Sequence, residues 1–335
     1  MQAAIYGLAG LSLTDDERAF FRDADPAGYI LFGRNCRDAA QMRALTEDLR
    51  AIHGRGDLPI LIDQEGGRVA RMRPPAWPAF PSGEAFDRLY ARAPMSAIEA
   101  ARANAAAIAA LLREVGVNVD CLPLLDVRQP GATDIIGDRA LGSEPMQVAA
   151  LGRATLEGLR AGGVAGVVKH MPGHGRALVD SHEALPIVNA SEEELELDLE
   201  PFRTLRGAPM GMSAHLVFTA WDPDRPASQS PTVVRNIIRG RIGFDGFLMS
   251  DDMGMHALSG GFDERARLIL EAGNDATLHC SGDMAEMVAV ASASGALTTE
   301  ARDRLTRAMA SLAPDPQTES YAELAEKRDR LLALA

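Results

Sequence analysis

The chain has 335 residues, of which 47% are hydrophobic and 24% charged, with a formal net charge of −13. That composition belongs to a globular protein with a large buried core and excludes a disordered chain. An evenly acidic surface repels phosphate backbones, so nucleic acid is excluded as the expected partner.

The first apolar run, within "MQAAIYGLAGLSLTDDE", has no basic segment before it and is not read as a signal peptide. Residues 3–10 form the first expected strand. Thr14 and Glu17 then give the capping-box spacing that opens a helix. Short β-prone runs follow at 28–33 and 59–63. In the Ala-rich stretch 96–115, Ile98, Ala101, Ala105, Ile108, Leu112 and Val115 keep helical spacing. Glu99, Arg102, Asn104 and Arg113 interrupt the stretch, so no membrane span is expected. A strand at 117–123 precedes a helix that starts near Pro145 and ends at Gly162–Gly163. A fifth strand covers 164–170, and Ser191 with Glu194 opens another helix. Strands at 210–215, 246–251 and 275–280 complete a set of eight.

These runs are apolar throughout rather than alternating, as in strands buried on both faces of a parallel sheet. Eight of them separated by helices predict an α/β fold, a single-domain (β/α)₈ TIM barrel. The expected barrel spans 1–315, with a helical tail, 316–335, packed on it. A doubly wound open sheet is the alternative, but no GxGxxG follows a first strand. Cys36, Cys121 and Cys280 are odd in number and form no CxxC pair. Reduced, buried thiols and a cytoplasmic location are therefore expected.

In a barrel of this kind chemistry collects at the C-terminal ends of the strands. Five ends are polar: Asp63-Gln64-Glu65 after the third, Lys169-His170 after the fifth, Ser213 and His215 after the sixth, Ser250-Asp251-Asp252 after the seventh, and His279 at the eighth. The stretch "KHMPGHGRALVDSH" (169–182) admits two readings. As a metal site it would use His170, His174, Asp180 and His182. Pro172 and Gly173 prevent a regular helix between the first two, and no metal is expected. In the other reading, Asp180 orients the His182 imidazole as an acid/base pair on a movable loop. In "GFLMSDDMGM" a strand-end carboxylate can attack an electrophilic carbon. Side chains alternate along a strand, so Asp251 and Asp252 cannot both face the barrel mouth, and spacing does not choose between them.

The segments "IDQEGGRVAR" (62–71), "IIGDRALGSEP" (135–145), "KHMPGHG" (169–175), "DSH" (180–182) and "SDDM" (250–253) occur in that order. Together the pattern resembles the glycoside hydrolase family 3 β-N-acetylhexosaminidases, in their short bacterial form that recycles cell-wall fragments. The resemblance spans about residues 4–312. It implies a barrel that removes terminal β-linked N-acetylglucosamine with retention of configuration, without a cofactor. It also implies Asp251 as nucleophile and His182, partnered by Asp180, as acid/base. Asp63, Arg71, Arg139, Lys169 and His170 match sugar-binding positions. The implied substrate is the N-acetylglucosaminyl-1,6-anhydromuramyl peptide, split in the cytoplasm; the chain is expected to be a monomer. One departure stands beside the proposed nucleophile: relatives often read "SDDLSMEG" where this chain has "SDDMGMHA", placing Gly254 and His256 there. A structural alternative for the charged positions is ion pairing, of Arg68 or Arg71 with Glu65 and of Arg139 with Asp138. Functional alternatives are a phosphorylase, substrate-assisted hydrolysis through the acetamido oxygen, a metal-dependent barrel hydrolase, and an inactive sugar-binding protein.

Overall fold

The structure is a computed structural model that describes residues 1–132, 134–179, 184–312 and 319–335. In chain order it opens with β1 (Gln2–Gly7), α1 (Asp15–Ala24), β2 (Pro26–Leu31), α2 (Ala39–His53) and β3 (Ile60–Ile62). Helices α3 (Gly83–Tyr90) and α4 (Pro94–Glu114) lead to β4 (Val119–Asp120), α5 (Pro145–Ala161) and β5 (Ala165–Met171). Then come β6 (Ile187–Val188), α6 (Glu192–Thr204), β7 (Met210–Ser213), β8 (Val217–Phe218) and a π-form helix, Thr232–Ile242. The chain closes with β9 (Phe247–Asp252), α7 (Phe262–Ala272), β10 (Ala276–His279), α8 (Met284–Ala293), α9 (Thr299–Ala310) and α10 (Tyr321–Leu332).

Eight strands form a closed barrel in the order β1-β10-β9-β7-β5-β4-β3-β2, and every pairing is parallel. They are the eight runs read from the sequence, and the fold is the (β/α)₈ barrel. The short pair β6–β8 is additional, a separate two-stranded sheet that the sequence reading did not include. Strand alternation divides the core. Ala3 and Ile5 of β1 face a lumen filled by Ile30, Leu61, Val119, Val167, Met212 and Met249, while Ala4 and Tyr6 face the helical layer. Leu305 and Met309 of α9 join the lumen cluster beside Ala3, Ala27 and Phe247, at the N-terminal ends of the strands.

Local signals act as expected at the helix starts. The Thr14/Glu17 and Ser191/Glu194 boxes are closed in both directions, satisfying amides that the first helical turn leaves free. Helix α4 is long and apolar enough to cross a membrane, but its alanines are buried in the fold, packed against α3, α5 and α10. Helix α10 lies on α4: Arg328 donates to Asn104 at 3.2 Å, and Lys327 pairs with Glu99 at 2.5 Å.

Candidate active site

A cavity of about 260 Å³ opens where the barrel strands end. Its floor is a buried chain of alternating charges. Arg71 donates to Asp63 Oδ2 at 3.0 Å, and Lys169 Nζ lies 2.9 Å from Asp63 Oδ1 and 2.7 Å from Glu65 Oε1. Arg139 then grips Glu65 with two bonds of 2.8 Å, from Nε and Nη2. Burial pushes both carboxyls up, but the facing Lys169, Arg71 and Arg139 outweigh it and hold Asp63 and Glu65 below the usual carboxylate range. Burial opposes the Lys169 charge as well, yet Asp63 and Glu65 raise its pKa. Lys169 is therefore a fixed cation although its side chain is only 2% exposed.

This corrects the ion pairs expected from the sequence. Arg139 pairs with Glu65, not Asp138, and Arg71 pairs with Asp63. Arg68 takes Asp138 at 2.9 Å and is held by the main-chain oxygens of Asp134 and Ile135. Gln64 sets the arrangement: its Oε1 accepts from the amides of Arg71 and Met72, both at 3.0 Å, and its Nε2 donates to the Met72 carbonyl at 2.9 Å. The segment after β3 thus folds back and returns Arg71 to Asp63.

The two aspartates ending β9 separate clearly. Asp252 Oδ1 accepts from the amides of Gly254 at 2.9 Å and Cys280 at 3.2 Å, so this carboxylate caps a turn. Among the described residues Asp251 Oδ1 accepts only the neighbouring Asp252 amide, at 2.8 Å, and both aspartates line the cavity. Burial raises Asp251, but His170, His215, that amide and Lys169 overcome it and keep its pKa low. Asp252 goes the other way, raised chiefly by burial. Gly254 supplies an amide to Asp252, and His256 is exposed.

His170 and His174 meet edge to face, with ring centroids 5.6 Å apart. His170 Nδ1 lies 2.7 Å from the fully buried Asp126. His174 is driven down to about 4, first by burial and then by His170, and its Nδ1 has no hydrogen-bond partner among the described residues. Among those residues no cluster of three His, Cys, Asp or Glu side chains is placed to hold a metal ion. Asp180 and His182 lie outside the described residues.

The other polar strand ends are absorbed by structure. Ser213 donates to Asn274 at 2.7 Å, His279 pairs with Glu286 at 2.9 Å, and His215 bridges Ser228 and the Asp252 carbonyl at 2.7 and 3.1 Å. Sequence reasoning placed Gln64 and Glu65 at a polar strand end without giving either a site role, and it missed Asp126. The available signal for Asp126 was an acid ending the apolar run "CLPLLD", the same signature that drew attention to Asp251.

A larger cavity, about 890 Å³, lies at the opposite end of the barrel. Three of its arginines are occupied with main-chain oxygens: Arg153 with Thr204, Arg160 with Ser311 and Arg206 with Arg203, at 3.3–3.5 Å. Arginines bonded to the carbonyls that close helices are ordinary structural devices.

The family model described as Glycosyl hydrolase family 3 N terminal domain matches residues 5–311. The chain is 37% identical over 282 residues to the beta-hexosaminidase of Aromatoleum aromaticum, covering 82% of this chain and 78% of that one. It is 39% identical over 280 residues to the beta-hexosaminidase of Alkalilimnicola ehrlichii, covering 82% and 79%. In three dimensions it is similar to the crystal structure of NagZ from Neisseria gonorrhoeae in complex with N-trifluoroacetyl-D-glucosamine. The TM-score is 0.86 at 29% identity, over 99% of this chain and 98% of that one.

Proposed function

The chain belongs to glycosyl hydrolase family 3, and from that premise we propose that it is a retaining exo-β-N-acetylglucosaminidase. Asp251 forms a covalent ester with the anomeric carbon. His182, oriented by Asp180, protonates the leaving oxygen as the glycosidic bond breaks, and later takes a proton from the water that attacks the same carbon and releases Asp251 as carboxylate. The substrate is the N-acetylglucosaminyl-1,6-anhydromuramyl peptide, cleaved in the cytoplasm by a monomer without metal or cofactor.

One observation carries the reading: of the two adjacent carboxylates at the β9 end, only Asp252 is spent on capping a turn. Asp251 stays low in pKa at the wall of a sugar-sized cavity. An ionised oxygen there meets the first requirement of a nucleophile. The chain Arg71–Asp63–Lys169–Glu65–Arg139 offers donors and acceptors in fixed places. A site of that kind discriminates strongly among hydroxyl and acetamido patterns, because a wrong substrate leaves buried polar groups unpaired.

The test compares a chromogenic β-N-acetylglucosaminide with the matching β-glucoside, and then Asp251→Asn with the parent enzyme. Expected are a marked preference for the acetamido sugar, a loss in kcat of about 10³-fold or more in the variant, and retained sugar binding. A slow fluorinated glycoside should add one sugar to the intact protein by mass. An Asp251→Asn enzyme with unchanged kcat, or turnover without that adduct, would remove the covalent mechanism.

A further inference from the structure

Asp126 has no place in the reaction as proposed, yet it is among the best-satisfied side chains near the cavity. It follows β4 on an extended segment whose Leu125 amide donates to the Lys169 carbonyl at 2.7 Å, so it travels alongside the end of β5. The side chain is fully buried. Oδ1 accepts the main-chain amides of His170 at 3.2 Å and His174 at 2.7 Å, and Oδ2 lies 2.7 Å from His170 Nδ1. From these contacts we infer that Asp126 is a positioning residue: it keeps the His170 proton on Nδ1, which leaves Nε2 as the atom His170 offers to a sugar beside Asp251. The inference rests on the reading of the cavity as a hexosaminidase site.

Both oxygens of Asp126 face N–H groups, and an ionised carboxylate only accepts. Burial raises its pKa, but His170, and after it His174 with its amide, bring it down to about 2, so it is ionised at any working pH. His170 Nδ1 must then be the donor. In the neutral ring Nε2 is left as an acceptor, suited to a sugar hydroxyl, and in the charged ring it becomes a second donor. The two amide bonds tie the turn 171–174 to the same carboxylate, so ring orientation and the path of the chain leaving β5 share one anchor.

Asp126→Asn keeps shape and reverses one atom. Its oxygen can serve the two main-chain amides, which places the NH₂ against His170 Nδ1. The ring then has to accept at Nδ1 and carry its hydrogen on Nε2. A carboxylate-to-amide change opposite a functional imidazole acts in this way in the serine protease triad. We expect kcat/KM to fall by about 10²-fold or more, equally for aryl glycosides with good and poor leaving groups. Two-dimensional ¹⁵N–¹H spectra of imidazole-labelled protein, with His170 assigned through a His170→Gln variant, read the protonated nitrogen directly. In the parent enzyme Nδ1 should carry a proton. A neutral parent ring protonated on Nε2 overturns the inference and needs no variant to fold. For a folded Asp126→Asn, transfer of the proton to Nε2 with the uniform loss supports it. An unchanged tautomer, unchanged kcat/KM, or a loss confined to poor leaving groups overturns it. A parent enzyme that fails to cleave the chromogenic substrate would instead sink the functional reading, and the spectra would still report on Asp126.

Discussion

Lys169 shows how much one side chain settles in this site. Its ammonium touches Asp63 and Glu65 at once, so it joins two arginine–carboxylate pairs into a single chain. Removing it would leave two buried anions close together, which is why an ion pair at this depth is held in place even where its net contribution to stability is small. The choice between Asp251 and Asp252 is also made at this scale. Alternation along a strand says only that the two differ. The Gly254 and Cys280 amides say which one is spent on structure, the first from the turn just beyond the strand and the second from 28 positions away. For the proposed acid/base, replacement of His182 by alanine has a distinctive outcome. Substrates with poor leaving groups need protonation at the departing oxygen and should lose most of their turnover. An activated aryl glycoside should lose least, because its phenolate departs without help. Steady-state rates on the two substrates check this, and equal losses would take the acid role away from His182.

The elements that carry these residues are short, and their turns decide where side chains arrive. Strand β3 has three residues, and the chain beyond it turns at Gly66 and Gly67 before Gln64 collects it again. Gly66 has φ +100°, and a Cβ built there would lie 2.2 Å from the Pro81 carbonyl oxygen. Gly66→Ala should therefore cost about 2 kcal/mol or more in stability. It should also lower kcat/KM, because Arg71 depends on the same turn. Gly56→Ala is the control: its added Cβ meets nothing within 4 Å, and both properties should stay near those of the parent. Urea melts and kcat/KM measured on both variants decide it, and a Gly66→Ala protein as stable as the control would refute the account. The strands themselves were legible as continuous apolar runs, and the α1 and α6 starts as capping boxes. The β6–β8 pair was not. Two-residue strands carry no periodicity, and Ile187 is 52% exposed, so nothing in the local sequence distinguishes that pair from loop.

At the scale of the whole molecule the barrel could be read from the chain, and residues of the quoted segments 62–71, 135–145, 169–175 and 250–253 line one cavity, whereas partnerships between segments could not be read. Arg139 lies 74 positions from Glu65, and His170 lies 44 from Asp126, separations that no local pattern reports. The same long-range burial makes global stability depend on pH through Asp120. This carboxyl is fully buried on β4. Its Oδ1 accepts the Gln64 amide at 3.0 Å, and its Oδ2 has no hydrogen-bond partner among the described residues. Burial raises it to about 8 against the pull of that amide and Lys169, with Asp63 and Glu65 adding to the rise. Between pH 4 and 8 the folded state thus keeps a proton that the unfolded chain has released, and stability falls as pH rises through that window. His174 contributes with the opposite sign. Its folded value of about 4 lies below that of the unfolded imidazole, so stability is gained as pH rises from 4 to about 6.5. Asp126, at about 2, matters only on the acid side, where its contribution is lost as pH falls below 4. A single pH profile mixes these terms, but the difference between the parent and Asp120→Asn isolates one. The amide matches the protonated carboxyl in shape and charge and cannot ionise. Over pH 5 to 8 the variant should gain on the parent by up to about 1.4 kcal/mol for each pH unit crossed, levelling off above 8. Urea denaturation at one-unit steps provides the measurement, and parallel profiles would show that Asp120 is already ionised in the folded barrel.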